Sequence, residues 1–133
     1  MRPDERRFFR LKQTIAARWT RLDVAGMPHG EFTGLIRDVS GGGILLVRRE
    51  VASVGDRFRV SFTLGRDSGV FEFTAKVVSV EQMEMRSSYF CHSEFVDVER
   101  LARRRLVKAI AEEAGGRLAH QIDRGRMDSA AGR

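Results

Sequence analysis

Arg57-Phe58-Arg59-Val60-Ser61-Phe62-Thr63-Leu64 alternates a polar and an apolar residue at every step, and this constrains the fold more than anything else in the chain. A period of two is the signature of a strand with one face buried and one face wet. The same period recurs along the sequence. Thr14 to Val24 sets Ile15, Ala17 and Trp19 against Arg18, Thr20 and Leu22, with Trp19 read as core. Gly26, Pro28 and Gly30 break the pattern, and Glu31 to Val39 resumes it. Gly43 to Arg49 forms a third strand whose nearly continuous apolar run predicts burial on both faces, with Arg48 and Arg49 marking the return to solvent. After the turn at Gly65 to Gly69, alternation resumes at Phe71, Phe73, Ala75 and Val77 and then shifts phase at Val78 and Val80, which predicts a β-bulge. Ser87 to Val96 places Tyr89, Cys91, Ser93 and Phe95 on one side and Phe90, His92, Glu94 and Val96 on the other. Six strands with no helix between them define a barrel or a sandwich.

The period then changes to 3.6. Asp97 is expected as N-cap, Val98, Leu101, Ala102, Leu106, Ala109 and Ile110 as the apolar face of one amphipathic helix, and Gly115 as its stop. Residues 115–133 lose periodicity and are read as a disordered tail. The first 12 residues are read as a flexible arm, and 13–114 as the folded unit.

Two polar segments carry chemistry. In Glu5-Arg6-Arg7-Phe8-Phe9-Arg10, Arg6 and Arg10 share a side whether the arm is extended or helical, and so form a two-pronged cation. Guanidinium is permanently charged, bonds phosphate in a bidentate manner and stacks on flat rings, so the pair suits a nucleotide better than a simple anion. One of the rings Phe8 and Phe9 is placed to anchor the arm to the body. In Asp38-Val39-Ser40-Gly41-Gly42-Gly43, the carboxylate matches the N1–H and N2–H edge of guanine, the hydroxyl donates or accepts, and the glycines allow close backbone approach. Each segment alone has an ordinary reading, as a solvated basic tail and as a strand-to-strand turn.

Taken together and in this order, ahead of a β-rich pattern, the segments resemble the PilZ domain family, whose signature is RxxxR followed some thirty residues later by [DN]xSxxG. Arg6, Arg10, Asp38, Ser40 and Gly43 fill every defining position. The resemblance spans roughly residues 5 to 114. It implies a mainly β fold, a six-stranded antiparallel PilZ-type β-barrel with a C-terminal α-helix, and binding of the bacterial second messenger cyclic di-GMP. On that resemblance Arg6 and Arg10 contact phosphates and guanine, Arg7 adds field, Asp38 and Ser40 read one guanine, and Gly43, helped by Gly41 and Gly42, admits the ligand. It also implies an arm that orders on binding and a downstream protein partner, with no cofactor beyond the ligand. The Cys91-His92-Ser93 sequence departs from the small apolar or glycine segment the family often carries there, and whether His92 faces the ligand stays open.

Composition agrees with an anionic ligand: 24 Lys and Arg against 18 Asp and Glu give a formal charge of +6. Cys91 is the only cysteine, so no internal disulfide forms and a reducing, cytoplasmic setting is expected. The longest apolar run, Ile44 to Val47, is far too short to span a membrane. An enzyme is not expected. Cys91 and His92 are strand neighbours that face opposite ways and cannot work as nucleophile and base. His29, His92 and His120 have no metal-ligand spacing. Single-stranded nucleic acid is the less favoured partner, because the phenylalanines alternate as core instead of forming base platforms. A PilZ-like adaptor that binds protein without nucleotide is the other alternative.

Overall fold

The computed structural model describes residues 8–50, 52–65, 69–82 and 88–131, with side chains described as far as Gly116. Six strands occur in the order β1 (Leu11–Leu22), β2 (Pro28–Val39), β3 (Gly43–Arg48), β4 (Arg57–Thr63), β5 (Val70–Gln82) and β6 (Tyr89–Val96), followed by the helix α1 (Arg100–Ala131). All neighbours are antiparallel, and the order β1-β2-β3-β6-β5-β4 closes through β4 back onto β1. Closure gives each strand a paired neighbour on both sides over at least part of its length.

Alternation decides what fills the interior. Ile15, Ala17 and Trp19 of β1, Phe58, Val60 and Phe62 of β4, Phe71, Phe73, Ala75 and Val77 of β5, and Cys91 and Phe95 of β6 are all buried. Phe73 stacks on Phe95 with centroids 4.6 Å apart, and Phe62 on Phe71 at 5.8 Å, within the range of favourable ring pairs. Trp19 is 1% exposed, and its indole lies over Gly34 of β2, where a Cβ would fall on the ring itself. Burial holds the Cys91 thiol pKa above its ordinary value, so the cysteine is a small core residue.

Bulges and register shifts set the phase of several strands, and two of them bear on β5 and on the end of β2. One lies between Val77 and Ser79, where the sequence predicts it. Another lies between Ile36 and Asp38, with Arg37 as the extra residue on β2. Two residues beyond the buried Ile36, Asp38 would otherwise point into the barrel. The extra residue turns Asp38 outward while Val39 is buried.

Helix α1 lies across the strand ends. Leu106, Ala109 and Ile110 are buried. Arg105 Nη2 donates to the Val70 carbonyl at 2.6 Å with its guanidinium 4.3 Å from the Phe71 ring centre. No helix among the described residues is long and apolar enough to cross a membrane.

The structure corrects five expectations. Arg48 does not mark solvent: it is 5% exposed, with its guanidinium 4.5 Å from the Phe58 ring centre and 5.7 Å from that of Phe32. Aromatic faces accommodate a guanidinium whose stem runs along apolar surface. β3 is buried on one face only, since Leu45 and Val47 are half-exposed. Asp97 is not an N-cap. It holds φ 54°, and the first helical bond, from Arg103 N to Glu99 O at 3.1 Å, makes Glu99 the capping position. Leu101, 67% exposed, is off the apolar face, whose line runs through Ala102, Leu106, Ala109 and Ile110. Gly115 does not stop the helix, which runs through the segment read as a tail to Ala131. A glycine costs a helix interior only about 1 kcal/mol relative to alanine, and no proline follows to end it.

Gly34→Ala is expected to destabilise the protein by about 1–3 kcal/mol, because the new methyl group forces the indole out of its rotamer. Urea unfolding followed by the fluorescence of Trp19, the single tryptophan, measures this, and a loss below about 0.5 kcal/mol contradicts the packing described.

Candidate functional site

The connection from β2 to β3 is a tight turn held by its own polar groups. Ser40 N–H donates to the Gly43 carbonyl at 2.9 Å, and Ser40 Oγ accepts the Gly42 N–H at 3.2 Å. Ser40 is 1% exposed. Its hydroxyl therefore fixes the loop from within, the role short hydroxyl side chains often take in turns. Phe95 N–H donates to the Gly42 carbonyl at 2.9 Å, which fastens the turn to β6.

The glycines answer a steric demand. Neither Gly41 nor Gly43 has a left-handed φ. A Cβ at Gly43 would fall on the Ser93 carbonyl oxygen of the adjoining strand, and one at Gly41 would lie 2.6 Å from Val107 Cγ2 and 2.7 Å from Phe8 Cδ1. The protein itself fills the space in front of both. β3 approaches β6 closely at one, and the arm and helix close over the other.

Asp38 stands beside this turn on the outer face, and Arg10 Nη1 donates to its Oδ1. The side chains are 33% and 14% exposed respectively, so the pair is only partly open to solvent. A guanidinium carries five donors and a carboxylate about four acceptor sites, so the contact leaves bonding capacity on each side. One half of the pair comes from the arm and the other from the end of β2.

Phe8 anchors the arm. Its ring sits at Gly41 beside Val107, and the Arg103 guanidinium lies 5.6 Å from its centre while Arg103 Nε donates to the Gly41 carbonyl at 3.1 Å. Phe9 is 65% exposed. Phe8, Phe9, Gly41, Val107, Ile110, Ala111 and Ala114 line an apolar groove. The part of Arg103 in this anchorage was not legible in the sequence, where it counts as one cation on a solvated helix face. Arg6 and Arg7 lie outside the described residues.

A larger polar cleft is bounded by Arg21, Asp23, His29, Asp56, Arg57, Arg59 and Asp97. Asp23 accepts the Met27 and Ala25 N–H groups, each at 2.9 Å, and faces His29 Nε2 at 2.8 Å. The Met27 bond, followed by the His29 contact, holds its pKa below the ordinary carboxylate value. These bonds account for Asp23 as the brace of the β1–β2 loop. Among the described residues no cluster of His, Cys, Asp and Glu is arranged to hold a metal. Cys91 is buried, and His92 is half-exposed on the other face of β6.

The fold and this site define a small closed antiparallel barrel, capped by a helix, with an arginine arm paired to a carboxylate turn at its rim. The chain belongs to the PilZ domain family, whose model matches residues 4–112. Solved structures share the fold. The Bacillus subtilis Inhibitor of motility (MotI/DgrA) superposes with a TM-score of 0.66 at 15% identity, covering 82% of this chain and 51% of that one. The PilZ domain of YcgR from Escherichia coli, solved with c-di-GMP, gives 0.59 at 19% identity over 85% of this chain and 96% of that one. MrkH of K. pneumonia in its apo state gives 0.66 at 20% identity over 90% and 55%. The chain thus spans about half the length of MotI/DgrA and of MrkH. No curated protein sequence matches it.

Gly43→Ala is expected to cost more stability than Gly41→Ala, because the first meets backbone and the second meets side chains able to swing away. About 2 kcal/mol or more is expected for Gly43→Ala and less than half of that for Gly41→Ala. Equal losses in denaturant unfolding contradict the assignment.

Proposed function

We propose that this chain is a cyclic di-GMP-binding effector, with the ligand held between the arginine arm and the outer face of the barrel beside the β2–β3 turn. The observation that carries the reading is the Arg10–Asp38 contact: two motif halves 28 residues apart meet at one place. Membership of the PilZ family, and the c-di-GMP bound by the YcgR domain of the same fold, support it.

The proposed roles follow from donor and acceptor chemistry. Arg6 and Arg10 bond ligand phosphates and the face or edge of guanine, and Arg7 adds positive field. Asp38 accepts from the guanine N1–H and N2–H. Ser40 and Gly43, expected to read a guanine and to admit the ligand, face protein instead, the hydroxyl bonded within the turn and the glycine against Ser93, and with Gly41 and Gly42 they hold the turn that presents Asp38. Arg10 and Asp38 bond one another, so each charge at the site has a partner.

The output proposed is mechanical. Phe8 is two residues from Arg10 and rests on α1, so a ligand that draws Arg6 and Arg10 inward moves Phe8 against Val107 and Arg103 and remakes the surface offered to a protein partner. The buried rings of Phe58, Phe62, Phe71, Phe73 and Phe95 disfavour single-stranded nucleic acid as the ligand, since they are not available as base platforms.

Calorimetric titration with cyclic di-GMP, GMP and a short oligonucleotide at two salt concentrations tests the reading. Selective binding of cyclic di-GMP is expected, with Arg10→Ala and Asp38→Ala each weakening it by at least about tenfold while the Trp19 unfolding curve is kept. Binding of all three that collapses together as salt rises marks a nonspecific polyanion site, and a wild-type chain that binds none of them overturns the reading.

A further inference from the structure

The register of the barrel aligns a row of side chains that runs away from the arginine–carboxylate pair. Lys12 pairs with Asp38, Asp38 with Leu45, Leu45 with His92 and His92 with Ser79, so the row crosses β1, β2, β3, β6 and β5 in turn. Paired residues share a face, and here it is the outer one: Lys12 and Ser79 are exposed and Asp38, Leu45 and His92 half-buried, while their neighbours Val39, Ile44 and Cys91 point inward. Three register shifts set this alignment where strands join the row, between Lys12 and Ile15 on β1, Ile36 and Asp38 on β2, and Val77 and Ser79 on β5.

Strands lie about 4.8 Å apart, which places His92 roughly 10 Å from Asp38 with Leu45 between them. An acceptor-only carboxylate, an apolar floor and a ring carrying an N–H donor stand in line. A guanine presents donors at N1 and N2 on one edge and an acceptor at N7 on the other. Laid flat on Leu45 with its donor edge at Asp38, it turns N7 toward His92. Among the described residues the imidazole has no hydrogen-bond partner of its own.

We infer that His92 is a direct ligand contact, donating its imidazole N–H to N7 of the guanine whose opposite edge is bound by Asp38. The inference rests on the proposed cyclic di-GMP site and adds to it a residue outside the arginine and Asp-Ser-Gly segments. It gives His92 a part in purine recognition, because guanine and adenine share the N7 acceptor and pyrimidines lack it.

The test is a double cycle between protein and ligand. Wild type and His92→Phe, which keeps a flat ring and loses the donor, are titrated with cyclic di-GMP and with its analogue carrying 7-deazaguanine at both bases. Wild type is expected to lose about tenfold in affinity on going to the analogue, the size of one lost hydrogen bond, and His92→Phe to lose about tenfold for cyclic di-GMP but almost nothing further for the analogue. An equal penalty for the analogue in both proteins, or unchanged affinity in His92→Phe, overturns the role of His92 and leaves the site itself standing. Failure of the wild type to bind cyclic di-GMP overturns the site and His92 together. Unfolding curves followed through Trp19 establish that His92→Phe retains the barrel.

Discussion

A closed barrel of this size requires a filled interior, and the indole of Trp19 over Gly34 is the contact on which that filling turns. The ring occupies the volume that any side chain at position 34 would claim, so the two residues act as one packing unit. The phenylalanine stacks on β4, β5 and β6 then complete an interior in which every strand contributes one face. Close packing of this kind propagates register, because a slip of one residue would exchange the whole buried set for the wet one.

Register in turn builds the site. Asp38 faces outward only because Arg37 is an extra residue on β2, and the turn after it is fixed by Ser40 from within and by β6 from the side. The Arg10–Asp38 pair on the outer surface is thus positioned by a bulge, a buried hydroxyl and two glycines whose missing side chains make room for protein. Rigid support of this kind lets a carboxylate near the end of a strand hold a defined direction.

Strand alternation made most of this architecture legible in advance, and the paired motifs singled out Arg10 and Asp38, which the structure brings together. What escaped the sequence depended on contacts between distant segments. Arg48 reads as a solvent marker because local pattern carries no information about Phe58 and Phe32 waiting to stack on it. Leu101 reads as apolar-face because its one-turn neighbours suit it, yet the helix packs through the line one position on. Asp97 has the composition of a cap without the backbone of one. The bulge at Val78 was visible as a break in alternation, whereas that at Arg37 was hidden by Leu35 and Ile36, adjacent apolar residues that leave the phase of β2 ambiguous.

The seat of Phe8 has a mechanical consequence. Two residues of extended chain reach about 7 Å at most, and over that length the arm is held at Phe8 by α1 and Gly41 and at Arg10 by Asp38. With so short a span between two anchors there is little slack, so displacement at one is felt at the other. Arg103 strengthens the link by joining the loop and the arm at once, through the Gly41 carbonyl and the Phe8 ring. A charge interaction on the outer face of β2 and the packing of helix α1 are therefore joined by a short chain of contacts through Arg10, Phe8 and Arg103.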